Sequence, residues 1–497
     1  MPFVSALGGI LVLLMTRVIY RVYFHPLRNI PGPKLAAATG LYEFYFNVIK
    51  RGKFIWEIER LHEIYGPIIR ISPREVHIKD PEFFEEIYAP PSRPREKYSV
   101  FVKQFDIDHT AFTSVSAEAH RECRTPLNKF FSKSAITKIE PTIQRHLDIL
   151  CGHIKSAFPS GRVVNLDSGF AGLMSDVIHE YMLGYHSGNL DTEDFNEHVR
   201  DGLNGILRLS HLNFFLPLMK LMKIIPMPVL KVLNPFAYAA QEMKCRIREC
   251  VLGFLSGKTD ITKGAPVIKS VIDQLPAHLQ GSQRLTDETF SLLNAATETT
   301  SRALSVAFFH IISNESIKIK LREELQSVMP TPDSHPTWDQ LKQLPFLSGV
   351  VNECIRMSTG VAARSPRIAP NEALVYGEYI IPPGTPVSEI VHFIVHDPVI
   401  FPEPHSFDPE RWIRAAEKGE RLDRYLVNFS KGTRNCLGIN LAYAELYITI
   451  ARLVREFDFT LYKTTWKNLA CARDFMAPYP EEGNMRFKVQ VESVVSE

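Results

Sequence analysis

A lone cysteine stands in a run of turn-forming and cationic residues: Phe429-Ser430-Lys431-Gly432-Thr433-Arg434-Asn435-Cys436-Leu437-Gly438. Glycines four before and two after Cys436 permit a tight loop that brings backbone amides toward the sulfur. A helix beginning just past the cysteine directs its positive end at a thiolate. Such a sulfur suits the axial position on a haem iron, where neighbouring groups tune its electron donation. Phe429 is placed to shield it from water, and Arg434 to meet a haem propionate in a charge-assisted pair. The alternative at this point is a buried structural cysteine beside a glycine turn.

Three further groups have chemistry in their spacing. Ala295-Ala296-Thr297-Glu298-Thr299-Thr300 puts an acid and hydroxyls inside an otherwise apolar helix, where polar groups are costly to bury without a use. Back-bonding of the hydroxyls to carbonyls is the plainer reading. Glu353 and Arg356 lie at i,i+3 on one helical face. Phe407-Asp408-Pro409-Glu410-Arg411-Trp412 offers a second arginine downstream.

In this order and spacing, the four elements resemble the cytochrome P450 family. Its haem-loop pattern Phe-x-x-Gly-x-Arg-x-Cys-x-Gly is complete at 429, 432, 434, 436 and 438, and Ala442 and Glu445 continue the helix that follows. The resemblance implies haem b held by Cys436 and a buried brace of Glu353, Arg356 and Arg411. It also implies an oxygen-binding helix in which Thr299 holds dioxygen while Glu298 helps deliver protons. One oxygen atom then enters the substrate and the other leaves as water. Ala296 stands where the family usually has glycine. His120 takes the place of a tryptophan that pairs with an arginine, here Arg124, against a propionate. Arg367 is the expected further propionate donor, with Arg364 as a structural competitor.

The resemblance also places a pocket among Phe101–Phe112, 207–216, the upstream face of the long helix, Thr359–Ala363, Phe475 and Met476. No charge stands out there, so a lipophilic substrate oriented by shape is expected. No nicotinamide or flavin segment is visible, so electrons are expected from NADPH through a separate reductase; Lys431 and Lys133 are candidates to help it dock, with ordinary solvated charge as the equal alternative. Pro366-Arg367-Ile368-Ala369-Pro370 and Pro382–Val387 look most like fungal enzymes of the trichodiene oxygenase kind. That implies a terpenoid substrate, with a polyketide or mixed-origin metabolite, or desaturation or rearrangement without net oxygen insertion, as alternatives. A zinc hydrolase is the competing class. Its support is His392 and His396 at i,i+4 and Cys245 and Cys250 close together in sequence, but the histidines lack the intervening glutamate of a peptidase motif.

The elements that must position these residues are mostly helical. A helix apolar over much of its circumference is expected from about Thr286, as N-cap, to Asn314. Others are expected at 54–66, 81–89, 118–158, 170–185, 238–256, 316–328, 346–358 and Ile439–Glu456, with a small sheet at 67–79 and short strands at Ala373–Tyr376 and Tyr379–Ile381. The stretch 211–236, broken by Pro217, Pro226, Pro228 and Pro235, reads as a loop lining a greasy cavity or as a second contact with a bilayer. The fold class is therefore mainly α with minor β. One large P450-type domain is expected over 35–497, behind a membrane anchor at 1–24 and a proline-rich hinge at 25–34.

A helix over Phe3–Phe24 would be about 30 Å long, enough to cross a bilayer. Arg17, Arg21, Arg28 and Lys34 all follow the apolar run, which predicts an endoplasmic reticulum anchor with the body in the cytosol. The chain has 497 residues, 45% hydrophobic, and 57 Lys and Arg against 55 Asp and Glu. That composition excludes a disordered chain and gives no general attraction to nucleic acid. Seven scattered cysteines exclude a disulfide-stapled scaffold.

Overall fold

The computed structural model describes residues 2–495, apart from 108, 217, 223, 258–265 and 484; Pro217 thus lies outside the described residues. The architecture is mainly α with minor β. Helix Ser282–Ser313, 32 residues long, runs through the main core. Leu293, Leu304, Val306, Ala307, Phe308 and Ile311 are buried along it. Around it pack helices Leu166–Leu183, Pro235–Leu255, Pro345–Ser358 and Ile439–Glu456.

The long helix starts one turn earlier than expected. Thr286 is not its N-cap: its Oγ1 donates to Ser282 O at 2.7 Å, so the hydroxyl satisfies its own helix. Asp287 and Glu288, which follow it, are buried. Asp287 pairs with Lys244 at 3.2 Å and Glu288 with Arg284 at 2.9 Å. The helical stretch expected at 118–158 is divided, its first helix running Ala117–Asn128 with Pro126 in the last turn.

The largest sheet has five strands in the order 68–70, 76–78, 386–388, 367–368, 96–97. Only 76–78 and 386–388 run parallel. At its edge, Lys97 lies directly opposite Arg367. The strands expected at 373–381 form an antiparallel hairpin of Leu374–Tyr376 with Tyr379–Ile381. A second hairpin pairs Arg473–Phe475 with Ala477–Tyr479.

Helix Pro2–Ile19 continues as a wider turn over Tyr20–Phe24. Its window Ser5–Phe24 has a mean hydropathy of 1.6, and none of it is buried against the body. This one apolar N-terminal helix is consistent with a membrane anchor.

On the long helix, His310 stacks on Phe407 at 4.7 Å, and its Nε2 has no hydrogen-bond partner. Burial, aided by Arg356, pushes its pKa down to about 4. A histidine lowered in the fold takes up its proton first when unfolded, so its contribution is intact above about 6.5 and is lost as pH falls toward 4. Relative to His310→Phe, the wild type should lose up to about 1.4 kcal/mol of stability per pH unit across that window. Denaturant unfolding of both proteins at several pH values measures this, and parallel curves would refute it.

Candidate functional site

The brace is complete. Glu353 and Arg356 are fully buried, joined through Arg356 Nε to Glu353 Oε2 at 3.0 Å and Nη2 to Oε1 at 2.7 Å. Arg411 Nε reaches Glu353 Oε1 at 3.1 Å, and Trp412 Nε1 reaches Oε2 at 3.0 Å. The remaining guanidinium hydrogens go to backbone carbonyls. Arg356 donates to Val395, Pro404 and Ser406, and Arg411 to Pro402, Glu403 and Ser406. These carbonyls fix the segment 395–406, and Asn428 Nδ2 donates to Ile355 O at 2.8 Å, tying the brace helix to the cysteine loop.

That loop is held from several sides. Gly432 has φ +70°, and a Cβ there would lie 2.2 Å from Ala89 O, so both the backbone turn and the close approach require glycine. Cys436 N donates to Phe429 O at 2.8 Å, and the Phe429 ring packs on Tyr443. Helix Ile439–Glu456 begins three residues after the sulfur, as expected. Cys436 bears accessible surface, yet protein encloses it closely enough that desolvation raises its thiol pKa, against the Gly438 amide and Arg124. Its surface therefore lines an interior hollow. A Cβ on Gly438 would meet nothing within 4 Å, so the hollow continues beside the sulfur.

On the long helix, Ala295 and Thr299 expose surface one turn apart although flanking turns are buried. Thr299 Oγ1 donates to Ala295 O at 2.9 Å, the back-bonded arrangement, which leaves its lone pairs outward as acceptors. The helix stays α-helical through Ala296. Glu298 turns elsewhere: Arg200, on helix Glu197–Leu207, donates Nε to its Oε1 at 3.2 Å and also pairs with buried Asp167. One residue beyond Thr299, Thr300 lies against Glu445 of the cysteine helix. Glu445 is fully buried with neither oxygen in a hydrogen bond of normal geometry, and burial raises its pKa well above the usual range.

The predicted propionate donors converge. His120 is buried, and desolvation with Arg434, Arg124, Lys97 and Arg367 pushes its pKa down to about 3. Lys97 was missed by sequence reasoning, since a lysine in an Arg-Glu-Lys run reads as solvated charge. It is buried, and desolvation with Arg367, Arg434 and Arg124 drives its pKa well down. Arg434 spends four hydrogens on Arg95, Ser114, Val115 and Ser116 carbonyls, and burial beside Arg367 lowers it to about 9. Arg124 donates to Asn435 O at 3.0 Å, next to the cysteine. Arg367 donates to Ser365 and Pro366 and lies over the Tyr88 ring. Among the described residues no carboxylate forms an ion pair with Lys97, Arg124, Arg367 or Arg434. Arg364, by contrast, is committed to Glu43 at 2.7 Å and Glu75 at 3.1 Å, a structural role.

Buried like charges without counterions are costly, so this cluster is shaped for a group bringing two negative charges. The donor set fits haem: an accessible thiol at the head of a tight loop, with cations grouped near it.

Lys431 pairs with Glu85 at 2.6 Å and Lys133 with Asp339 at 2.9 Å, both on the surface. The pocket segments are not purely apolar: His211 Nε2 meets Asp474 O at 2.6 Å, and Asn213 donates to Gln104 O at 2.7 Å, forming a buried polar seam.

Residues 39–481 match the Cytochrome P450 family. The chain belongs to that family. It is 41% identical over 481 residues to Conidiogenone synthase PchP450 of Penicillium rubens, covering 96% of each chain. It is 38% identical over 496 residues to Cytochrome P450 monooxygenase astB of Aspergillus terreus, covering 98% of this chain and 96% of the relative. It is also 39% identical over 481 residues to Cytochrome P450 monooxygenase TRI4 of Trichoderma arundinaceum, covering 95% and 93%. The protein is thus an oxidoreductase, a haem-thiolate P450 monooxygenase acting on a lipophilic metabolite. Membership implies NADPH-dependent reduction, a reductase partner and dioxygen.

The cation cluster gives a two-sided expectation. Lys97→Met removes one charge from a repelling group, so the haem-free P450 should be stabilised by about 1 kcal/mol or more, while haem loss accelerates. Thermal unfolding of apoprotein and haem transfer to apomyoglobin read the two signs. A variant that loses stability without faster haem loss would refute the reading.

Proposed function

We propose that Cys436 supplies the thiolate to haem iron and that Lys97, His120, Arg124 and Arg367 receive the propionates, with Arg434 positioning the loop from the same cluster. Bound haem supplies the reduction of dioxygen and the transfer of one oxygen atom to substrate. The observation that carries this reading is the cation cluster beside the cysteine loop, whose members form no ion pair with a carboxylate among the described residues. Phe429 keeps water from the sulfur, and the Gly438 amide holds the thiolate as a hydrogen-bond donor. Thr299 Oγ1, its own hydrogen committed to Ala295 O, accepts a hydrogen bond from what occupies the hollow. Glu298 delivers protons there after exchanging its contact with Arg200.

The substrate is a terpenoid, supported by the likeness of the 366–370 and 382–387 stretches to fungal terpenoid oxygenases. Residues 1–24 anchor the protein in the endoplasmic reticulum membrane, 25–34 form the hinge and 35–497 the catalytic domain in the cytosol. The stretch 211–236 supports a second bilayer contact: short helices there leave Ile224, Val229, Val232, Leu233 and Phe236 exposed, Val232 at 82%.

Membranes containing this protein and an NADPH-dependent reductase, given a terpene panel under labelled dioxygen, test the function. One labelled oxygen atom should appear in a hydroxylated or epoxidised product. Thr299→Ala should keep its haem and consume NADPH with roughly tenfold less product. No turnover of any terpene in the panel, or products without label, would overturn the assignment.

A further inference from the structure

Basic side chains from three separate segments meet where the N-terminal helix joins the body. Arg17 and Arg21 come from the apolar helix and its last turn, His25 from the proline-rich stretch, and Arg70 and Arg74 from the first strand and the turn after it. The junction is bolted rather than loose. Arg21 Nη1 donates to Ala38 O at 2.8 Å. Arg70, 2% exposed, donates Nη1 to Arg21 O at 2.9 Å and Nη2 to Pro73 O at 2.8 Å. Its amide donates to Pro31 O at 2.7 Å, and a Cβ on Gly32 would lie 2.6 Å from Arg70 O, so the proline stretch is pressed onto the strand.

Arg74 follows on the same turn, so it is held at the level at which the apolar helix ends. Arg17 and Arg74 are exposed and form no ion pair among the described residues. The nearest acid in sequence, Glu75, turns inward to Arg364. Burial and the cations Arg70, Arg74 and Arg21 lower the pKa of His25, and burial beside Arg21 lowers Arg70 to about 10, both marks of uncompensated positive charge. Tyr20, Tyr23 and Phe24 are exposed around the same level, the composition of a membrane interface.

We propose that this junction, walled by Arg17 and Arg74 on either side of Arg21, is a binding site for the phosphate of an anionic phospholipid headgroup in the leaflet facing the catalytic body. The proposal rests on the membrane-anchor reading above. Ordinary insertion needs charge only on residues following the apolar run; Arg70 and Arg74 belong to the body and have no part in it. A headgroup held against both parts fixes the catalytic body's tilt on the membrane, since the bolted junction leaves little swivel.

The full-length haem-loaded protein in nanodiscs of phosphatidylcholine mixed with phosphatidic acid gives the test, read as lipid retained in native mass spectrometry, beside alkaline carbonate extraction of membranes. The wild type should stay in the membrane and retain phosphatidic acid over phosphatidylcholine. The Arg17→Gln, Arg74→Gln double variant should also stay in the membrane, with retention of phosphatidic acid down roughly thirtyfold, two basic contacts' worth. Equal retention of both lipids by the wild type, or undiminished preference in the variant, overturns the site alone. Release of the wild type by carbonate overturns the anchor reading and the site with it.

Discussion

Cys436→Ser should fold, lose turnover by roughly a thousandfold or more, and lose the thiolate-type Soret band of the reduced, CO-bound protein. The loop owes its shape to groups other than the sulfur: the Cys436 amide bond to Phe429 O, the glycine pressed on Ala89 O, and Arg434 spread over four carbonyls. A hydroxyl is nearly isosteric with the thiol and disturbs none of them. What it removes is the donor whose negative charge is matched to iron and tuned by the Gly438 amide. A loss on this scale corresponds to about 4 kcal/mol of transition-state stabilisation, more than packing differences at one atom supply. Haem content, circular dichroism and product formation on the same preparation separate lost ligation from lost folding. A serine variant with wild-type turnover would remove Cys436 from the mechanism.

Glu353→Ala should be the most damaging change outside the hollow. The carboxylate accepts from Arg356, Arg411, Trp412 and the Asp408 amide. Removing it strands two buried guanidinium groups, a cost of about 3–5 kcal/mol. Most of a typical domain's margin disappears with it, and the segment 395–406 loses the arginines that hold its carbonyls. The expected result is little soluble haem protein in a wild-type expression host, with the residue accumulating as apoprotein or aggregate. Glu353→Gln, which keeps the shape and one acceptor, should fall between the two. Haem-to-protein ratio and unfolding midpoint measure both variants, and a normal ratio in Glu353→Ala would show that the brace is dispensable.

The cysteine loop and the brace were legible because their residues recur at short spacings, and only a few structures satisfy so many fixed types at once. The long helix was legible as apolar and central, but its start was not. Thr286 reads as a cap by residue type, whereas a threonine hydroxyl can equally bond its own helix four residues back. Lys97 was illegible for a different reason. Its place beside Arg367 is set by strand register between segments far apart in sequence, and nothing local marks a buried lysine. The same applies to Arg200, whose hold on Glu298 depends on how two helices pack. Arg364 and Arg367 were ambiguous as sequence neighbours, and packing separated them by giving Arg364 two glutamates and Arg367 none. The surface partners of Lys431 and Lys133, Glu85 and Asp339, were likewise illegible because they come from remote segments.

X-ray absorption at the iron edge of the purified haem protein tests the sulfur assignment most directly. The wild type should show one sulfur in the first coordination shell, and Cys436→Ser should show none while keeping its secondary structure. A wild-type iron bound only by nitrogen and oxygen, or a sulfur signal that survives in Cys436→Ser, would contradict the assignment.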